Sequence, residues 1–419
     1  MNGYVFKVSI NKLLCAILYL FIIDGVFHIS RGITVAGMEI RECLFVLMVI
    51  ISLLQLLKNK YWLYNKYSIL VLAMLAVVGI AIVRPFFDNT TLEYIGDLVA
   101  EFSYYFYLFI ILFAINNEKR LRGVILLICI LGSILSFLSI LVVFGNIAMA
   151  SLSNAIVEIS NSMQFLNVYN NFGIVTRIMW TGVVFQIAAL FISFAFWGEY
   201  RKTSYIALML VNVFALIFTY SRGIIAGSIV GIVIYIYIQG KSMKGNKLNT
   251  IKTMLIFSIV ILITVGLLFV TYSDLITFFV ERFIISDAAT GKSDLLRDDM
   301  VDMLNNLIAE NPIWGGGAGA HIALRDGRVE MTYHDILSKM GIVGLFIFIL
   351  PYIFIIWDYM NKFRGDTFTR MRVGLIATLT AILFATYSNP YILGSLGLLI
   401  YCLCMRVCID GHNSIKMER

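Results

Sequence analysis

The sequence predicts an all-α integral membrane protein with about twelve transmembrane helices in a single domain, residues 1–419. Of its residues 60% are hydrophobic and 14% charged, whereas soluble globular domains have about 25% charged residues. The mean hydropathy is +0.91. A helix needs about 20 apolar residues to cross a bilayer core of about 30 Å. Such segments lie at about 9–28, 40–57, 67–83, 95–116, 122–145, 174–197, 204–220, 223–239, 253–272, 336–358, 373–388 and 391–408.

The distribution of lysine and arginine predicts that both termini are cytoplasmic. Basic residues in short loops resist translocation, so they mark the cytoplasmic side of a membrane protein. Here they cluster on alternate loops, beginning with the N-terminus. The long connection 273–335 then lies on the outer face. The inner loops account for the net charge of +7, which indicates membrane lipids and not nucleic acid as the partner of these residues.

The long outer segment is predicted to contain an amphipathic helix at about 294–310 that packs its apolar side on the membrane domain. The residues on that side are Leu296, Met300, Met303, Leu304 and Leu307. Pro312 ends the helix, because proline disfavours helix in the residue before it. Gly315–Gly319 follows. This run lacks the Lys-Ser/Thr ending of a nucleotide P-loop and therefore predicts a tight loop.

Three carboxylates of this helix match a metal-binding pattern. Asp298, Asp299 and Asp302 have the D-D-x-x-D spacing by which prenyl-diphosphate enzymes hold magnesium. Such sites use a second acidic motif, which the sequence lacks, and the carboxylates fall on the polar side of the helix. The sequence therefore favours a solvated helix face, and it predicts no metal and no cofactor.

Two arginines are predicted to border an outer cavity. Arginine in or near hydrocarbon usually faces a protein interior or a wet cavity and pairs with an anion. Arg222 stands in the very short outer turn Tyr220–Gly223, and Arg177 begins the sixth predicted helix. The alternative for each is a contact with lipid headgroups, or for Arg222 an ion pair with Asp97 or Glu101.

Two of the four histidines, His321 and His334, share the long outer segment with Arg297. His334 directly precedes the tenth predicted helix and therefore lies at the membrane surface. A neutral imidazole there can take a proton from a sugar hydroxyl, because its unperturbed pKa of about 6.5 suits base catalysis near neutrality. A helix N-cap or an interfacial role is the alternative for His334.

Three motifs follow one another in a characteristic order. Ser221-Arg222-Gly223 comes first, then Arg297 with Asn311-Pro312-Ile313-Trp314-Gly315-Gly316-Gly317, then His334 before Gly341-Ile342-Val343-Gly344-Leu345. This order resembles the O-antigen ligase and polymerase superfamily, in which these elements surround the largest outer loop.

The resemblance covers about residues 215–350, and the N-terminal half is similar only in helix count and hydropathy. The sequence departs from the family pattern at Asp335, where an asparagine often follows the histidine.

The resemblance implies a GT-C-like helical fold in the bacterial inner membrane with its active site facing the periplasm. It implies metal-independent transfer of glycan from an undecaprenyl-diphosphate carrier to an acceptor sugar. Guanidinium groups would stabilise the diphosphate leaving group. Arg222 and Arg297 are the candidates for this role, and His334 is the candidate base. The residues assigned to binding of the diphosphate and the glycan are Arg177, Arg282 and His321.

Four functions remain open at this point. The leading one is polymerisation of lipid-linked O-antigen or capsule repeat units, with a second lipid-linked unit as acceptor and a chain-length regulator protein as a candidate partner. The second is an O-antigen ligase that transfers polymer to lipid A core. A flippase or other transporter is less favoured, because no internal repeat is visible and the polar residues gather in one outer loop. A non-catalytic membrane scaffold is the fourth.

Overall fold

The protein is predominantly helical in the computed structural model, which confirms the all-α class. The structure describes residues 9–31, 33–35, 38–59, 63–88, 95–148, 150–163, 166–172, 175–242, 288–322, 329–362 and 369–417. The helices are α1 (Ile10–Phe27), α2 (Ile40–Lys58), α3 (Lys66–Asp88), α4 (Ile95–Phe102), α5 (Tyr107–Ala114), α6 (Glu118–Ala148), α7 (Ala150–Met163), α8 (Val183–Tyr200), α9 (Thr203–Ile217), α10 (Arg222–Ser242), α11 (Ala288–Glu310), α12 (Thr332–Lys362), α13 (Thr369–Ala385) and α14 (Ser395–Met417). The strands are β1 (Thr34–Val35), β2 (Met38–Glu39), β3 (Leu166–Phe172) and β4 (Val175–Trp180).

Eight helical segments of the described chain are long and apolar enough to cross a membrane, so this is a membrane protein. They are α1, α2, α3, the run from α4 through the 3-10 turn Ser103–Phe106 to α5, and α6, α8, α10 and α12. Helix α9 and residues 395–409 of α14 are shorter apolar helices. The predicted span 253–272 lies outside the described residues, and the count of twelve stays a prediction.

The prediction of a helix from residue 174 is wrong, because this part of the chain forms a β-hairpin. Strand β3 pairs antiparallel with β4, and Val168 lies opposite Ile178. Helix α8 begins only at Val183. Valine, isoleucine and the aromatic residues of this segment favour strands, and the asparagines disfavour helix. Arg177 therefore lies in a strand, opposite Tyr169.

Helix α10 packs closely on α13 because both helices carry small residues at every fourth position. The facing residues are Gly223, Gly227 and Gly231 on α10, and Ala377, Ala381 and Ala385 on α13. A Cβ added at Gly231 would lie 2.8 Å from the carbonyl oxygen of Ala377. Patterns of this kind let two helix backbones approach each other inside a membrane.

Replacing Gly227 by alanine is expected to destabilise the helix bundle by about 1–3 kcal/mol, because the added methyl group would overpack the α10–α13 contact. At Gly79, in α3, an added Cβ meets no atom within 4 Å, and alanine is favoured over glycine in helices by about 1 kcal/mol. Thermal unfolding in detergent should move to lower temperature for Gly227→Ala but not for Gly79→Ala. Equal shifts for the two variants would contradict this packing.

Helix α11 packs on the membrane domain through only part of its predicted apolar side. Met300 and Leu304 are buried in a small apolar cluster with Ile322. Leu296 and Met303 are exposed, so their predicted packing is wrong. A single narrow stripe of α11 meets the bundle, and its three aspartates at positions 298, 299 and 302 are exposed.

Candidate functional site

A cavity of about 950 Å³ lies at one end of the bundle between α10, α12 and α13. We call it the arginine cavity. Its polar lining includes Tyr220, Ser221, Arg222, Arg297, Glu330, Tyr333, Tyr387 and Asn389. Its apolar lining includes Ala226, Val230, Leu383 and Phe384. The charged residues of the described lining are two arginines and one glutamate, so the cavity has a net positive formal charge.

Arg222 enters the cavity from the first position of α10. The preceding turn is tight, and Tyr220 adopts a left-handed φ of 47° in it. Gly223 lets this turn lie directly against the end of α13, because a Cβ there would be 2.5 Å from Ser388 Oγ. A helix N-terminus carries a partial positive charge. The guanidinium group of Arg222 and the start of α10 therefore both favour an anion at this position.

Arg297 reaches the same cavity from α11 and forms an ion pair with Glu330. Its Nε and Nη2 atoms donate to Glu330 Oε2 at 3.2 and 3.1 Å. Both side chains are partly exposed. The structure thus brings Arg222 and Arg297 together, although they lie on different helices.

The glycine-rich segment fills a break in helix α12. The break is at Gly341, where φ is 64° and ψ is −169°. The N–H groups of Gly316 and Gly317 donate to the carbonyl oxygens of Ser338 and Lys339, at 2.7 and 3.0 Å. The glycine amides are therefore used within the fold, as the predicted tight loop requires.

Helix α3 holds this loop from the other side. Arg84 donates through Nη1 to the carbonyl oxygen of Gly315 and through Nη2 to Asn311 Oδ1, the latter at 2.7 Å. The Ala318 N–H donates to the carbonyl oxygen of Ala81 at 2.8 Å. Helix α3, the loop and the first turns of α12 therefore form one connected unit, and this unit carries His334.

His334 lies directly behind the cavity wall. It is the third residue of α12, and its neighbour Tyr333 lines the cavity. The His334 ring contacts the Tyr387 ring edge-on at a centroid distance of 6.4 Å. Its Nδ1 atom is buried without a hydrogen-bond partner in the part of the chain that the structure describes. Tyr387 lines the cavity and is 56% exposed, so His334 contacts a residue of the cavity wall.

Of the three other predicted site residues, the structure describes the side chain of His321 alone. His321 is half-buried beside Ile322, which packs in the apolar cluster of α11. His321 is not part of the described cavity lining. The side chain of Arg177 and all of Arg282 lie outside the described residues.

Residues 205–349 match the family model Wzy_C, described as O-antigen ligase. The resemblance to the O-antigen ligase and polymerase superfamily is confirmed over this segment. We call residues 205–349 the O-antigen ligase segment. It contains Arg222, Arg297 and His334, and it ends within α12. No curated protein matches the chain in a sequence search.

Several cavity residues were not identified from the sequence, and four of them are polar residues close to the two arginines in the lining. Glu330 lies inside the O-antigen ligase segment, whereas Tyr387, Ser388 and Asn389 follow it in the chain. Their signal is a short run of polar residues between two apolar helices. The turn that contains Arg222 has the same character, so a search for such turns at the same end of the bundle would have found them.

If the arginine cavity is a site of glycan transfer, replacing Glu330 by alanine is expected to lower the transfer rate about tenfold, because Arg297 loses a charge-assisted hydrogen-bond partner. In an Arg297→Ala background the same change should have little further effect, because coupled residues are not additive. Transfer rates of the two single variants and the double variant measure this coupling. Additive losses would show that Glu330 does not act through Arg297.

Proposed function

We propose that the protein is a glycosyltransferase that polymerises undecaprenyl-diphosphate-linked O-antigen or capsule repeat units. The observation that carries this proposal is the meeting of Arg222 and Arg297 in one cavity, with His334 behind its wall. All three belong to the O-antigen ligase segment. Two arginines beside a histidine suit a transfer from a diphosphate leaving group to a hydroxyl acceptor, and the match to an O-antigen ligase family supports glycan transfer.

In this proposal the arginines bind and stabilise the departing diphosphate. Breaking the bond between the anomeric carbon and the diphosphate oxygen increases negative charge on that oxygen. Planar guanidinium groups stabilise this negative charge with bidentate, charge-assisted hydrogen bonds. Arg222 acts at the start of α10, and Arg297 is oriented by Glu330. These side chains supply the positive charge, so the transfer is proposed to be metal-independent and to need no cofactor.

His334 is proposed to act as the general base. The acceptor hydroxyl oxygen attacks the anomeric carbon, the new glycosidic bond forms, and the hydroxyl proton passes to a nitrogen of the imidazole. The polyprenyl diphosphate leaves as the carbon–oxygen bond breaks. His334 contacts Tyr387, a residue of the cavity wall, so the proposal requires the acceptor sugar to bind beside the Tyr387 ring.

The apolar part of the cavity suits the lipid carrier. Ala226 and Val230 of α10 and Leu383 and Phe384 of α13 line it. A prenyl chain gains free energy when such apolar surface is removed from water, by about 25 cal/mol per Å². The cavity thus offers charged groups to the diphosphate and apolar groups to its tail.

The proposed membrane and the proposed orientation of the cavity rest on the pattern of basic residues. Basic loops on alternate connections favour cytoplasmic termini and a cavity that faces the periplasm from the inner membrane. Arg177, Arg282 and His321 remain proposed contacts to the diphosphate and the glycan. A lipid-linked repeat unit is the proposed acceptor, and a chain-length regulator is a candidate partner protein.

The second candidate function is an O-antigen ligase that transfers finished polymer to lipid A core. The description of the matched family favours it, and the same arginines and histidine would serve the same donor. A lipid-linked oligosaccharide flippase or other transporter is the weaker alternative, because transporters place their sites near the bilayer midplane between repeated halves.

A glycan gel of cells that lack the protein tests these functions, with lipid-linked intermediates extracted in parallel. For a polymerase we expect single repeat units on the core and no long chains. Bare core with long polymer on the lipid carrier would establish the ligase instead. If cells that lack the protein make the same glycan as wild-type cells, both functions are excluded.

A further inference from the structure

A second polar cavity, of about 240 Å³, lies between the end of α1, the β1–β2 hairpin and the start of α2. We call it the hairpin pocket. Its lining residues are Asp24, His28, Ser30, Arg31, Glu39 and Arg41. All six have polar side chains, although they adjoin two apolar membrane helices. The proposed transfer chemistry uses none of them, so the pocket needs another explanation.

Two fixed carboxylates supply hydrogen-bond acceptors. Asp24 is only 9% exposed, and its carboxylate accepts from the backbone N–H of Ser30 at 2.7 Å and from Ser30 Oγ at 2.8 Å. Glu39 caps α2, and its carboxylate accepts a hydrogen bond from a backbone N–H of the first turn. Hydrogen-bonded carboxylates of this kind are stable when buried and keep lone pairs for a ligand.

Two arginines supply donors. Arg41 donates through Nη2 to Ser395 Oγ, and its Nε is buried without a partner in the part of the chain that is described. A buried donor without a partner is destabilising unless a ligand meets it. The side chain of Arg31 is exposed at the rim. Burial, and then the charges of Arg41 and Arg31, lower the pKa of His28, so its neutral ring both donates and accepts.

The formal charges in the pocket cancel, because Arg31 and Arg41 are balanced by Asp24 and Glu39. An anionic phosphate would meet two carboxylates there, whereas the hydroxyl groups of a sugar donate and accept at once and match the mixed lining. At about 30 Å³ per water molecule, the pocket holds roughly eight waters, which is close to the space of one sugar ring. We propose that the hairpin pocket binds one uncharged sugar unit of the acceptor glycan.

The connection between α13 and α14 joins this pocket to the arginine cavity. Tyr387 and Asn389 line the cavity at its beginning, and Ser395 at its end accepts the hydrogen bond from Arg41. A glycan along this connection places one sugar in the hairpin pocket and presents another to His334. The assignment to an acceptor rests on the proposed function, whereas sugar binding itself does not.

Binding is tested with the full chain in lipid nanodiscs. The probe is the oligosaccharide repeat unit released by mild acid from the surface polysaccharide of the producing strain, and saturation-transfer NMR gives its affinity. Arg31→Gln and Asp24→Asn should each weaken binding about tenfold through loss of a charge-assisted hydrogen bond. Asp299→Asn, on the exposed side of α11, should bind like the wild type. Because Arg31 is exposed, its replacement leaves the fold intact.

Wild-type affinity in the Arg31→Gln variant would overturn the proposal. Displacement of the oligosaccharide by inorganic phosphate at similar concentrations would also overturn it, because the pocket would then be an anion site. If the pocket variants lose binding but cells lacking the protein make normal glycan, sugar binding stands and the glycosyltransferase function fails. If glycan synthesis needs the protein but the oligosaccharide does not bind the wild-type chain, the pocket proposal fails alone.

Discussion

Alanine in place of His334 is expected to lower the rate of glycan transfer by about 100- to 10 000-fold, which is the contribution of a well-placed general base. The buried Nδ1 atom has no hydrogen-bond partner in the described part of the chain, so its removal breaks no hydrogen bond within that part. The amount of protein in the membrane and its unfolding temperature should therefore stay unchanged. Transfer between purified lipid-linked oligosaccharides in nanodiscs measures the rate.

Two further histidine variants separate catalysis from packing. His334→Gln keeps the size and hydrogen-bonding capacity of the side chain but cannot take a proton near neutral pH, so it should be as inactive as His334→Ala. His321→Ala should lose no more than about tenfold, the effect of one lost hydrogen bond, because His321 does not line the described cavity. A His334→Gln variant with the wild-type rate would exclude the base and leave only a packing role.

Hydropathy predicted most of the helices because each span separately needs a long apolar run. It did not predict the hairpin 166–180, since short apolar runs do not distinguish strands from helices. It also missed the break in α12, because Gly341 lies inside the predicted span 336–358 and only its left-handed φ interrupts the helix. The glycine-rich loop that packs against Gly341 requires this φ, and such a tertiary contact is not visible in hydropathy.

The order of the sequence motifs led to the candidate residues of the site but not to the residues that contact them. The two candidates for stabilising the leaving group, Arg222 and Arg297, line one cavity in the structure, which adds Glu330 as the partner of Arg297. The motif order does not include Tyr387, whose contact with His334 depends on how the end of α13 packs. Tertiary contacts of this kind leave no periodic or spacing signal in the chain.

Replacing Arg222 by alanine is expected to lower transfer about 100- to 1000-fold, as loss of one preorganised donor to a developing negative charge does in other enzymes. Arg222→Lys tests the reason. Lysine keeps the positive charge but presents a point charge in place of a planar fork. If the guanidinium binds the diphosphate through two hydrogen bonds, Arg222→Lys should transfer only about tenfold faster than Arg222→Ala, because lysine restores one charge-assisted hydrogen bond.

Arg122 provides the matched control for this substitution. It lies at the opposite end of the bundle, where its Nη1 donates to the Tyr200 hydroxyl at 3.0 Å. Arg122→Lys should therefore leave the transfer rate unchanged. Full activity of Arg222→Lys would show that the cavity needs only net positive charge at the start of α10. In that case Arg297, held by Glu330, would be the residue that recognises the shape of the diphosphate, and Arg297→Lys would show the larger loss.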